Sequence, residues 1–270
     1  MAQNHFSDRS VEEAENLSPK LIFEIIRREG EEELERPNRS LMWSGVAAGI
    51  MISLSVLGEA IFRTYLPDTA WRYLVENLGY SLGFLVVILG RMQLFTENTI
   101  TTVLPVMHNP TPAMLRRTAS LWAIVLAANV VGAFGAALVF AYTSAIPAEL
   151  LLTIEELSRH ATGFTAAEGF QRAIPAGLLV AAIVWMLPES EGFGFFLILT
   201  FTWLIAAGDF THIIAGSVEM AFLLIQGLLP PGQAVFGFFL PVLAGNILGG
   251  TAIFALLAFG QVRQELPEQK

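Results

Sequence analysis

The chain has 270 residues, of which 54% are hydrophobic and only 14% charged, with a mean hydropathy of +0.59; a soluble domain carries about 25% charged residues, so this is a polytopic membrane protein. The formal net charge of -9 comes from acids in the N-terminal segment and the connecting loops, and no basic stripe is present to bind nucleic acid. Cysteine is absent, which excludes disulfides and thiolate metal sites. The scattered histidines have no metal-ligand spacing and no nucleophile can be paired with a base, so the expectation is neither an enzyme nor a holder of metal or cofactor.

Residues 1–40 form a polar N-terminal segment. In it Ser18-Pro19 opens an amphipathic helix, with serine as cap and proline in the first turn, and Gly30 is expected to end it. A first span runs from about Leu41 to Leu66, long enough for a hydrocarbon core of roughly 30 Å, and is rich in small residues that let helices approach closely. Near its far end Glu59 and Arg63 stand four apart and are read as a mutual ion pair.

The second apolar run, about Tyr73 to Val106, is too long for one crossing and carries Gln93-Leu94-Phe95-Thr96-Glu97-Asn98 within it. Irregular backbone at that depth is tolerated only where protein or a watery cavity satisfies it, so a break is expected near Ser81 to Gly83 or near Gly90. The third span, about Leu115 to Tyr142, holds Asn129 and Gly132, the asparagine serving as interhelical glue. A polar connection from about Thr143 to Thr165 precedes the fourth span, about Glu168 to Leu187, which contains Pro175-Ala176-Gly177.

The fifth run, about Phe193 to Leu229, is again overlong and contains Gly208-Asp209-Phe210-Thr211-His212. Polar groups in hydrocarbon cost at least about 2.5 kcal/mol each when charged and usually face a bundle interior or a water-filled cavity. This stretch is therefore read as a broken helix lining a pore, with His212 at a pore position. Asp209, Glu219 and Glu59 are read as partners of arginines or as caps, and His5, His108 and His160 as loop residues. The sixth span, about Ala234 to Phe259, carries Asn246 and Gly249, and 263–270 is a short tail, leaving 41–262 as the transmembrane pore domain.

The halves look alike. Phe95-Thr96 answers Phe210-Thr211, and Asn129 with Gly132 answers Asn246 with Gly249; three spans per half make the second half inverted relative to the first. Corresponding interrupted helices in inverted halves point to a midplane site in a transport protein. Arginine and lysine concentrate in the termini and the loop with Arg116-Arg117, which places both termini in the cytoplasm.

These features, Gln93-Leu94-Phe95-Thr96, Asn129 with Gly132, Gly208-Asp209-Phe210-Thr211-His212, and Gly245-Asn246 with Gly249, resemble the formate/nitrite transporter family in a divergent branch. The resemblance implies an all-α, aquaporin-like fold of six transmembrane helices in two inverted three-helix repeats with broken second and fifth helices. It also implies a homopentamer in the inner (plasma) membrane, embedded in the lipid bilayer, with one pore per protomer. The implied function is a channel or transporter for small monovalent anions such as formate or nitrite, proton-coupled through a central histidine.

In that pattern Leu94, Phe95 and Phe210 form apolar constrictions, and Thr96, Thr211 and His212 form the polar site between them, supported by Asn129, Asn246, Gly177 and Glu97. The chain departs from the pattern where the family's fourth-span asparagine falls at Gly177, where Thr211 precedes the histidine, and where Glu97 replaces a small residue. These departures leave His212 short of polar partners. They also keep two alternatives open, a pore for neutral solutes or water and a non-conducting membrane scaffold or sensor.

Overall fold

The computed structural model describes residues 17–190 and 192–266; His5, Arg9, Glu191 and Lys270 lie outside the described residues. Every regular element described is helical: α1 (Pro19–Glu35), α2 (Asn38–Tyr65), α3 (Arg72–Leu89), α4 (Phe95–Thr101), α5 (Val103–His108), α6 (Pro112–Tyr142), α7 (Ala148–Ala161), α8 (Ala166–Glu189), α9 (Gly194–Ala207), α10 (Ile213–Ile225) and α11 (Gln233–Val262). Helices α2, α3, α6, α8 and α11 are long and apolar enough to cross a membrane, while α9 and α10 are shorter apolar helices. Helix α3 is interrupted by a turn at residues 77–80, and α11 contains wider, π-type turns.

Helix α1 starts as its cap predicts, the Leu21 N–H donating to Ser18 Oγ at 3.3 Å, but it does not stop at Gly30. The glycine serves a crossing instead of a terminus: a Cβ there would lie 2.0 Å from the Thr101 carbonyl oxygen. Ile22, Phe23 and Ile26 are buried, with the Phe23 ring 5.8 Å from that of Phe259 in α11 and 6.4 Å from His108 at the end of α5. Both described ends of the chain therefore sit on one face of the bundle. On the polar side Arg27 bridges Glu24 and Glu31, and its hydrogen bonds hold the Glu24 carboxyl down at about 2 against the opposing effect of burial.

The connection after α6 is not a plain loop. Leu150, Ile154 and Leu157 recur at helical spacing and are buried, and α7 packs them against α2 and α10; their charged neighbours, which gave the stretch its polar look, face outward. His160 accordingly lies in α7, and His108 closes α5, so neither is a loop residue.

Two helix pairs carry the bundle, α2 with α6 and α8 with α11, and they are joined in the same way. A Cβ on Gly49 would meet the Asn129 carbonyl oxygen at 2.1 Å, and one on Gly132 would meet that of Val46 at 2.3 Å. In the other pair Gly177 would meet the Asn246 carbonyl oxygen at 2.2 Å, and Gly249 that of Ile174 at 2.1 Å. Backbones this close leave no room for a side chain. Gly177 is thus a helix crossing, and no asparagine fits there.

Gly177→Ala is expected to lower the thermal midpoint of the detergent-solubilised protein. The obstruction is backbone rather than a yielding side chain, and overpacking of this kind costs about 1–3 kcal/mol. An unchanged midpoint would show that α8 and α11 part freely at this point.

Candidate functional site

Both overlong runs break, and they break alike. After Leu89 and after Ala207 the chain leaves the helix through a glycine followed by a residue with left-handed backbone, Arg91 (φ 50°) and Asp209 (φ 55°). In the first break the Arg91 and Met92 N–H groups donate to Ile88 and Val87 at 3.0 Å; in the second those of Asp209 and Phe210 donate to Ala206 and Ile205 at 2.9 Å. These bonds satisfy carbonyls that a helix end leaves open. Left-handed backbone is uphill for a residue with a Cβ, and each side chain is tied down. Arg91 pairs with Glu29 at 3.1 Å, while Asp209 receives Arg172 at 2.7 Å and His160 at 2.9 Å.

Two buried asparagines then restart the helices. The Asn129 side-chain oxygen accepts the Phe95 N–H at 2.9 Å, and its amide donates to the carbonyls of Gly45 and Gln93 at 2.8 Å. Asn246 accepts the Ile213 N–H at 2.8 Å and donates to Ala173 at 2.8 Å and Thr211 at 3.0 Å. By this set of bonds Phe95 corresponds to Ile213, Leu94 to His212 and Arg91 to Asp209. The pairing of Phe95 with Phe210 read from the sequence is out of register, Phe210 answering Met92.

The start of α4 and the start of α10 meet at the centre. His212 is the N-cap of α10, its Nδ1 accepting the Ala215 N–H at 3.3 Å. That bond leaves the proton of the neutral ring on Nε2, which donates to Thr96 Oγ1 at 2.8 Å. Phe84 packs edge-on against the imidazole, ring centroids 4.9 Å apart, and His212 is only 2% exposed. Far from lacking polar partners, the histidine has one on each ring nitrogen. Two helix N-termini, each with partial positive charge, converge on this contact.

A cavity lies on either side of it. The larger, about 370 Å³, is lined by Leu94 and Glu97 together with Glu29 and Glu33 of α1, so α1 forms part of its wall. Within it Gln93 donates to Glu33 at 2.7 Å, and Glu97 has no hydrogen-bonding or ion-pair partner among the described residues. The smaller, about 70 Å³, is lined by Phe210, Thr211 and His212 with Glu59, Glu219 and Tyr80. Leu94 is fully buried and lines the first cavity, whereas Phe95 lines neither and sets its ring edge-on to Trp122 at 5.6 Å. Thr211 lines the second cavity while its hydroxyl donates to the Gly169 carbonyl at 2.8 Å.

Of the three acids read as arginine partners or caps, two differ from that reading. Asp209 is the arginine partner expected of it. Glu59 does not form an ion pair with Arg63, whose guanidinium instead reaches Glu156 at 3.2 Å and Glu76 at 3.8 Å, because the first helical piece of α3, residues 72–76, and α7 bring those carboxylates to the bundle end where Arg63 emerges. Glu219 has no ion-pair partner among the described residues either; it and Glu59 line the smaller cavity. Tyr80, Asn77 and Phe84, which sequence reasoning passed over, complete the walls around His212, and only the break expected near Ser81 to Gly83, which the structure has at residues 77–80, hinted at them.

The model of the formate/nitrite transporter family matches residues 20–260. The chain is 42% identical over 249 residues to the inner membrane protein YfdC of Escherichia coli, covering 92% of this chain and 80% of that one. It is 28% identical over 243 residues to the formate channel FocA of Haemophilus influenzae, covering 80% of this chain and 84% of that one. Its fold matches a solved pentameric formate channel with formate bound at a TM-score of 0.69 and 18% identity, covering 84% of this chain and 98% of that structure. A family match from one end of the helical bundle to the other, with 42% identity to a relative over 92% of the chain, establishes the relationship: this chain belongs to the formate/nitrite transporter family.

Proposed function

We propose that the chain is a transmembrane channel or transporter for small monovalent anions of the formate and nitrite type, with the pore running from the larger cavity past Thr96 and His212 to the smaller one. The observation that carries this reading is the 2.8 Å contact between Thr96 and His212, two residues from separate broken helices, held between two cavities. Leu94 and Phe210 are the apolar constrictions on either side, and Phe95, edge-on to Trp122, supports the first from behind. A constriction of this kind strips water from an ion, and the His212 N–H, the Thr96 hydroxyl and the two helix N-termini replace part of that hydration.

The matched crossings and asparagine latches support six spans arranged as two inverted repeats, α4 with α5 and α10 each completing a broken span. Arg27, Arg28, Arg36, Arg39, Arg116, Arg117 and Arg263 fall toward the face that carries both chain ends, against Arg63, Arg72, Arg159 and Arg172 on the other. This asymmetry supports cytoplasmic termini in a plasma-membrane protein, with residues 41–262 as the pore domain. A homopentamer, the assembly of the structurally similar formate channel, suits the exposed apolar surface of the long helices.

The test is flux in proteoliposomes. A formate or nitrite gradient is expected to drive rapid uptake, with glycerol and water permeability at the lipid background. Solute or water passage without anion uptake would overturn the reading.

A further inference from the structure

In the smaller cavity the pore reading leaves two carboxylates unexplained. Glu59 of α2 and Glu219 of α10 both line the smaller cavity, and neither has a hydrogen-bond or ion-pair partner among the described residues. An anion entering a space of about 70 Å³ beside two bare carboxylates would be strongly repelled. The same cavity holds the Tyr80 side chain, 8% exposed, whose hydroxyl has no hydrogen-bond partner among the described residues, and Asn77, 2% exposed, whose amide donates to Tyr73 but whose side-chain oxygen accepts nothing. Neither atom is sealed off among the described residues, so both open onto the cavity, where a small ligand can reach them.

Among the described residues no side-chain cation forms an ion pair with either acid. Arg63 of α2 is taken by Glu76 of α3 and Glu156 of α7, and Arg172 of α8 by Asp209, which His160 of α7 also holds. Arg63 still acts on Glu59 through space, against the further negative charge of Glu76 on Glu59 and of Asp209 on both acids, and His212 already spends both ring nitrogens on Thr96 and Ala215.

Resting on the anion-channel reading above, we propose that Glu59 and Glu219 form a proton-loading site, so that this protein carries its substrate across as the neutral weak acid. The anion entering from the side away from α1 takes the proton of a protonated glutamic acid: the acid's O–H bond breaks and one forms on the substrate oxygen. The carboxylate left behind reloads from external water. Tyr80 and Asn77 supply the donor and acceptor that hold the carbonyl and hydroxyl of a small carboxylic acid. The neutral acid then passes Phe210, His212, Thr96 and Leu94, and ionises again in the larger cavity, so one proton moves with each anion.

The experiment pairs formate uptake with internal pH in proteoliposomes, at external pH from acid to alkaline. Wild type is expected to acidify the lumen one proton per formate and to pass no current. Glu219→Gln and Glu59→Gln are each expected to slow uptake about a hundredfold, the scale of a lost general acid, and to flatten its dependence on external pH. Glu219→Asp should restore that dependence. Electrogenic formate uptake without luminal acidification by wild type, dependence on a sodium gradient instead of a proton gradient, or Gln variants that keep the wild-type pH profile would each overturn the proton site while leaving the channel intact. Wild type with no formate or nitrite uptake at all would overturn the channel reading and this one with it.

Discussion

Asn246→Ala is expected to cost several kcal/mol of stability and to abolish transport at the same time, and Asn129→Ala to do so to a similar extent. The Asn246 side chain accepts the first N–H of α10 and donates to the carbonyl of Thr211 within the break and to that of Ala173 on α8. The residue is fully buried, so alanine would leave the Ile213 N–H and the Thr211 carbonyl without partners. Each such group costs about 1–3 kcal/mol, which sums to roughly 2–6 kcal/mol. The Ala173 carbonyl is already part of a helix and adds less. Because the latch also sets where His212 begins α10, a slipped break would carry the imidazole away from Thr96. Thermal unfolding in detergent and formate flux should fall together in both variants. A normal melting curve with normal flux in either one would show that the latch is not what holds the break.

The same latches show how far the sequence could be read. Asn129 with Gly132 and Asn246 with Gly249 carry their roles in their residue types and spacing, since a buried amide beside a small residue has few other uses in a membrane. The glycines Gly90 and Gly208 marked the helix ends, although the left-handed residue at each exit is the one that follows, Arg91 or Asp209. What side-chain matching could not supply was the register between the halves. Phe95 and Phe210 look alike, yet the symmetry belongs to the backbone groups that the asparagines satisfy, and those groups have no letter of their own.

Gly30 misled for a related reason, because a glycine that ends a helix and one that lets a helix cross another are the same residue. Helix α7 was hidden by its charges, although Leu150, Ile154 and Leu157 keep a helical spacing. The partners of His212 came from Thr96, which lies far from it in sequence, and from Ala215 through a cap bond. The partner positions Thr211 and Gly177, weighed from the sequence, are occupied by a bond to Gly169 and by a helix crossing.

His212→Phe is expected to leave the fold and the oligomer intact and to reduce formate flux by roughly two orders of magnitude. Phenylalanine fills nearly the same volume against Phe84, and the lost cap to Ala215 costs only about 1 kcal/mol, so the protein should still purify as the native assembly. The loss at the centre is of another kind. Between Leu94 and Phe210 an anion, or the acid derived from it, has few groups to replace its water, and a hydrogen bond to a charged species is worth about 1.5–3 kcal/mol. Removing the Nε2–H donor raises the barrier by that amount, and 1.4 kcal/mol is about tenfold in rate. It also leaves the Thr96 hydroxyl facing an aromatic ring. His212→Asn, which keeps a donor and an N-cap acceptor, should retain a substantial part of the flux. Flux in the phenylalanine variant equal to wild type would remove His212 from the pore. Equal loss in the phenylalanine and asparagine variants would show that the imidazole is needed for something beyond donating a hydrogen bond.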